Sequence, residues 1–172
     1  NATLAAGFEL TTGADENGTG TLTATLSDLG ATGSGGALVD IATIPLTITA
    51  VNDAPTLTLA PTATATSDGN PTTLSLTGVS TGPADESGQM LSFLASSDNL
   101  AVIPDGSIAV TGSGATRTLS VTPTAGSSGA VTITLTAMDD GSVANGGMDT
   151  VTASVTITVT APPNALPELT TN

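Results

Sequence analysis

Ala130-Val131-Thr132-Ile133-Thr134-Leu135-Thr136-Ala137 alternates small or branched apolar side chains with threonine over a full strand length. Alternation of period two with one polar face predicts an antiparallel strand, buried on one side and wetted on the other. The pattern recurs on both sides of this stretch. Val151, Ala153, Val155, Ile157 and Val159 alternate with Thr and Ser within 149–161, and Leu22, Ala24 and Leu26 alternate with Thr within 20–27. No segment carries the 3.6-residue period of a helix. The expected fold class is all-β, built from antiparallel sheets.

Two of these stretches are copies. Residues 7–50 align without a gap onto 118–161 at an offset of 111, placing Thr21, Thr23 and Thr25 on Thr132, Thr134 and Thr136, Asp28 on Asp139, and Gly30 on Gly141. A repeat of that length is one small domain, too long for a solenoid unit. The expected division is 1–51 as the C-terminal part of a preceding module, 52–161 as a complete module, and 162–172 as a linker and the first strand of a following one. The middle module reads as about seven strands, at 55–60, 72–79, 89–96, 107–112, 116–123, 129–138 and 149–161. Turn signals such as Asp68-Gly69-Asn70-Pro71, Asp105-Gly106 and Gly126-Ser127-Ser128-Gly129 separate them. That count and spacing suit an immunoglobulin-like sandwich without the cysteine pair and tryptophan of antibody domains. Residues 1–51 supply three strands, at 3–12, 20–28 and 38–50, too few to close a sandwich. Their partners are expected upstream in a longer array. The alternative is completion by strands of a neighbouring chain, which would build a head-to-tail filament.

Composition removes whole classes of function. Fifteen carboxylates face one cation, Arg117, with no Lys or His, for a net charge of −14. Such a chain repels nucleic acid phosphates and anionic lipid, and no apolar run is long enough for direct membrane insertion. The partner favoured by this balance is a hard cation; excess acid also keeps an extracellular chain soluble. With no Cys there is no disulfide or thiolate site, so bound metal is the available staple. Without His, Cys or Lys, no Ser-His-Asp or Cys-His arrangement can form, and the chain does not read as an enzyme. Only Phe8 and Phe93 are aromatic, so sugar binding by ring stacking is disfavoured.

The junction Val51-Asn52-Asp53-Ala54-Pro55-Thr56 resembles the linker between tandem extracellular modules of large bacterial surface proteins, the RTX-type adhesins with cadherin-like or Ig-like repeats. The resemblance continues through Ala84-Asp85-Glu86-Ser87-Gly88-Gln89, Ser96-Ser97-Asp98-Asn99 and Asp139-Asp140-Gly141 to Asn145-Gly146-Gly147-Met148-Asp149. It implies a stalk or extender role on the cell surface, with copies of the module as neighbours and calcium at the junctions. Calcium takes six to eight oxygens from carboxylates, amides and backbone carbonyls. At the first junction the candidate ligands are Asp28, Asn52, Asp53, Asp85 and Glu86; at the second they are Asp139, Asp140 and Asp149. The second linker, Ala161-Pro162-Pro163-Asn164-Ala165-Leu166-Pro167, lacks the aspartate of the first.

Simpler readings compete at several of these residues. Asp before Gly is a favoured turn pair, and Asp68 and Asp105 are read as turn residues only. Asn17-Gly18, part of an Asn-x-Thr sequon, reads first as a hairpin turn. The threonine rows have the spacing of water-ordering, ice-binding surfaces, but threonine is also the ordinary polar residue of a wetted strand, and sandwich sheets twist.

Overall fold

The computed structural model describes residues 9–28, 30 and 35–163. The chain divides into two compact units, residues 1–51 and 52–172. In the first, β1 (Gly18–Ser27) and β2 (Val39–Ile48) form an antiparallel hairpin running from Gly18↔Ile48 to Ser27↔Val39. Of the strand expected at 3–12, only 9–12 is described, and it is not a strand. The Asn17-Gly18 reading is corrected: Asp15 takes the left-handed conformation at φ 58°, and Gly18 opens β1. The linker expected from residue 162 lies mostly outside the described residues.

The second unit is a two-layer sandwich. One sheet contains β3 (Thr56–Leu59), β5 (Thr72–Ser80), β8 (Arg117–Val121) and β7 (Ile108–Thr111), in that order. The other contains β4 (Thr62–Thr66), β10 (Thr150–Thr160), β9 (Gly129–Met138) and β6 (Ser92–Ser97). The chain starts in one sheet as β3 and crosses to the other as β4, which pairs parallel to β10 from Thr62↔Thr156 to Thr66↔Thr160. This switch of the first strand between sheets gives the Ig-like arrangement. β4 was not expected from sequence. Its inward residues are only Ala63 and Ala65, and it follows Leu59 by so little that the two strands read as one strand and a loop. Every other neighbouring pair is antiparallel.

Inward residues of the two sheets interdigitate in a core with almost no aromatic volume. Leu76, Leu119 and Val121 from one sheet meet Val131, Ile133, Leu135, Val155 and Ile157 from the other, all fully buried. Burying each such side chain is worth roughly 1.5–3 kcal/mol. Phe93 and Ile108 pack at the margin. The outer faces are mostly threonine and serine, with Leu94 on β6 and Met138 on β9 exposed among them, and from 52 to 163 no carboxylate lies in a strand. Negative charge in this unit is thereby confined to the poles and loops, whereas the one basic side chain, Arg117, opens β8.

Candidate metal centre

Strand register decides which loops meet. Thr56 opposes Ser80, Met138 opposes both Thr150 and Ser92, so the segments before β3, between β5 and β6, and between β9 and β10 share one pole. The linker residues Asn52 and Asp53 enter there. Asn52 bridges two loops: its carboxamide Nδ2 donates to Asp139 Oδ1 (3.1 Å) and to the Met148 carbonyl (2.5 Å), while Gln89 Nε2 donates to its Oδ1 (2.6 Å). The Met148 N–H donates to the Asn52 carbonyl at 2.9 Å, extending the tie to the backbone. Two glycines make the fit possible. A Cβ on Gly141 would collide with the Asn52 carboxamide, and one on Gly147 would meet the Ser142 carbonyl.

Two carboxylates are buried at this pole, Glu86 at 6% exposure and Asp139 at 4%. Glu86 ends the short 3-10 turn Ala84–Glu86, and its Oε1 accepts the Asp53 N–H at 2.6 Å. The carboxylate lies against Gly82, whose φ of 151° and missing Cβ leave the space it fills. Asp139 Oδ1 accepts the Gly141 N–H at 2.9 Å, and its own N–H donates to the Asp149 carbonyl at 3.0 Å. Each acid thus spends one oxygen on the fold. The other oxygens, Glu86 Oε2 and Asp139 Oδ2, are buried without a hydrogen-bond partner, as is Gln89 Oε1. A buried polar atom without a partner costs about 1–3 kcal/mol, and more when it carries charge. These three oxygens are the type of donor that a hard cation takes.

The remaining predicted ligands are placed differently. Asp140 Oδ1 accepts the Met90 N–H at 2.8 Å, tying the β9–β10 loop to the segment leading into β6. Asp53 and Asp85 are exposed, and Asp149 is half-buried. In the first unit, Asp28 Oδ1 accepts the N–H groups of Gly30 (2.9 Å) and Leu38 (2.8 Å), closing its own hairpin. Those contacts, Gly30 first, hold its carboxyl below the ordinary value. Among the described residues no three His, Cys, Asp or Glu side chains come together in a metal-holding group. A cation here would therefore draw on amide and carbonyl oxygens beside Glu86 and Asp139. Gln89 was not among the predicted ligands. No sequence signal marks it; its N–H donates to the Glu86 carbonyl at 3.0 Å, which sets it beside that acid. Asp68 serves as a turn residue, accepting the Asn70 N–H. The reading of Asp105 as a turn residue only is corrected: it opens the 3-10 turn Asp105–Ser107 and also ties that turn to the end of β6 by accepting the Ser97 N–H.

No family model matches the chain, and no curated protein matches it. Among solved structures, the chain is similar to domains 4 and 5 of the S-layer protein SbsC, with 16% identity, a TM-score of 0.38, and coverage of 80% of this chain and 70% of that one. It is also similar to domains 1–6 of the surface layer protein SbsC, with 16% identity and a TM-score of 0.43 over 86% of this chain and 17% of that one. A complex of titin M10 with the obscurin-like 1 Ig domain gives 14% identity and a TM-score of 0.38, over 64% of this chain and 97% of that one. Overlaps of this order carry no function across.

Proposed function

We propose that residues 52–161 form a structural extender module of a bacterial cell-surface adhesin or extracellular fibre, stiffened by calcium where the linker enters. The observation that carries this reading is the pair of buried carboxylates, Glu86 and Asp139, each with an orphaned oxygen and each hydrogen-bonded to a linker residue. Glu86, Asp139 and Gln89 would hold the ion, with Asp53 and Asp85 exposed nearby in the same loops. Bound calcium supplies positive charge to a pole that has no Lys or His. Asn52 and Asp53 then fix the direction in which the chain leaves the module, because both are tied to the acids. The linker resemblance, the absence of cysteine and the acidic surface favour an extracellular setting and like modules as neighbours.

The test is thermal melting of the chain in calcium and in EDTA. Calcium is expected to raise the Tm, with stabilisation of about 2.7 kcal/mol at a hundredfold excess over Kd. A double variant, Glu86→Gln with Asp139→Asn, should melt at the same temperature in both. Equal melting of the unaltered chain in calcium and EDTA would overturn the proposal.

One observation favours a second reading, a filament subunit completed by a neighbouring chain. Leu26 and Ile44, on the face of the β1–β2 hairpin that corresponds to the core in the second unit, are 61% and 51% exposed. Size-exclusion at rising concentration separates the readings: growing assemblies favour the filament, a constant monomer the stalk.

A further inference from the structure

All three methionines of the chain lie at one end of the sheet that holds β9, and none belongs to the core. Met138 ends β9 on the outer face, opposite Ser92 and Thr150. Leu94, which opposes Thr136, is its diagonal neighbour on that face, close enough for long side chains to meet. The Met90 N–H donates to Asp140 Oδ1 at 2.8 Å, which sets Met90 just beyond Met138 on the β6 side. On the other side, the Asp139 N–H on the Asp149 carbonyl continues the β9–β10 ladder past Met138↔Thr150, so Met148 comes next. The three side chains are exposed, Met90 by 73%, Met148 by 59% and Met138 by 44%. The core cluster, by contrast, holds no sulfur: its buried residues are Val, Leu, Ile and Ala.

We infer that this surface is an oxidative modification site, where hydrogen peroxide and its hydroperoxide relatives convert Met90, Met138 and Met148 to sulfoxides with the fold intact. The sulfur lone pair attacks one peroxide oxygen. An S–O bond forms as the O–O bond breaks, and the departing hydroxide takes the proton of the transferred oxygen and leaves as water. Sulfur is oxidised by two electrons and the peroxide is reduced by two. Composition directs the oxidant to these residues, because the chain has no Cys, His, Trp or Tyr to compete. Susceptibility follows exposure, which orders the three as Met90, then Met148, then Met138. The product changes the surface: a thioether is apolar and a sulfoxide is polar, so of Met90, Leu94, Met138 and Met148 only Leu94 stays apolar. The fold is retained because bulk water hydrates the new oxygens and no core contact is displaced. Restoration takes methionine sulfoxide reductases, one for each sulfoxide epimer.

The test exposes the whole chain to excess hydrogen peroxide and follows it by intact and peptide mass spectrometry, thermal melting and retention on a hydrophobic-interaction column. One oxygen is expected on each methionine, in the order Met90, Met148, Met138, at rates within about tenfold of free N-acetylmethionine amide. The oxidised chain should keep its Tm and leave the column earlier. A triple variant, Met90→Leu with Met138→Leu and Met148→Leu, conserves volume and apolarity without a thioether. It should gain no oxygen, and its retention should not respond to peroxide. The inference is overturned by uptake at fewer than all of the methionines, by oxidation of Met138 before Met90, by a lowered Tm, or by a triple variant whose retention still falls.

Discussion

The β1–β2 and β9–β10 hairpins are the same sequence pattern in two environments. Their registers coincide residue for residue at the offset of 111: Gly18↔Ile48 corresponds to Gly129↔Val159, and Ser27↔Val39 to Met138↔Thr150. Even the closing contacts repeat, since the Asp28 N–H donates to the Leu38 carbonyl at 3.1 Å as Asp139 does to Asp149 at 3.0 Å. The environments differ completely. Leu26 is 61% exposed where Ala137 is 0%, and Ile44 is 51% exposed where Val155 is 0%. The acids diverge in the same way. Asp28 Oδ1 takes two N–H groups of its own loop, whereas Asp139 Oδ1 takes one from its loop and one from Asn52, and its second oxygen is buried unpartnered. A hairpin, then, needs only its own alternation and turn. A core and a buried acid with an unpartnered oxygen need a second layer.

The sharpest way to break the comparison is a matched truncation. Ile133→Ala should cost about 2–5 kcal/mol in urea unfolding, because Ile133 is fully buried. Leu22→Ala, at the equivalent position, should cost less than about 1 kcal/mol. Equal losses would mean that the first hairpin has a covered face in solution. The turn glycines make a smaller, second contrast. Gly141→Ala pushes a Cβ into the Asn52 carboxamide and should destabilise by about 1–3 kcal/mol. At Gly30 a Cβ meets, among the described residues, ordinary contacts with Ala37, the nearest at 3.7 Å, and the penalty is the left-handed φ of 73°, about 1 kcal/mol.

The smallest effect concerns pH. The Asp28 carboxyl is held below its ordinary value of 3.8 by the Gly30 and Leu38 N–H groups. A depressed carboxyl adds stability that is fully present above the unfolded value and is lost as pH falls through the folded one. The amide signals of Gly30 and Leu38 should therefore shift together on acidification with a midpoint below 3.8. In Asp28→Asn both should stay flat over that range. A midpoint at or above 3.8 in the unaltered chain would remove Asp28 as the closing acceptor.

Much of the sandwich was legible because strand formation is local. Alternation across 129–138 and 149–161 marked β9 and β10 to within a residue, and Gly and Asp marked the turns. β4 was missed because alanine is a weak apolar signal, and its strand character comes from pairing with β10. At the candidate metal centre, the acidic loops were legible by composition, and Asn52 and Asp53 by their linker context. Gln89 was not, because an amide gains significance only from what surrounds it. The setting of Arg117 was equally hidden. One arginine in a list of residues has no direction, and its inward position depends on Phe93 arriving from the other sheet.

By itself the sequence determined the all-β class, the 111-residue repeat, the approximate strand positions of the hairpins and the exclusion of His- or Cys-based catalysis. These follow from side-chain period, turn chemistry and the residues absent, all properties of short stretches or of composition. Tertiary structure alone decided which acids are buried and which oxygens are left over. Glu86 meets Asp53 across 33 residues and Asp139 meets Asn52 across 87, and only the stacking of two sheets brings such distant segments to one pole. The same stacking makes one copy of the hairpin into a core and leaves the inward face of the other exposed.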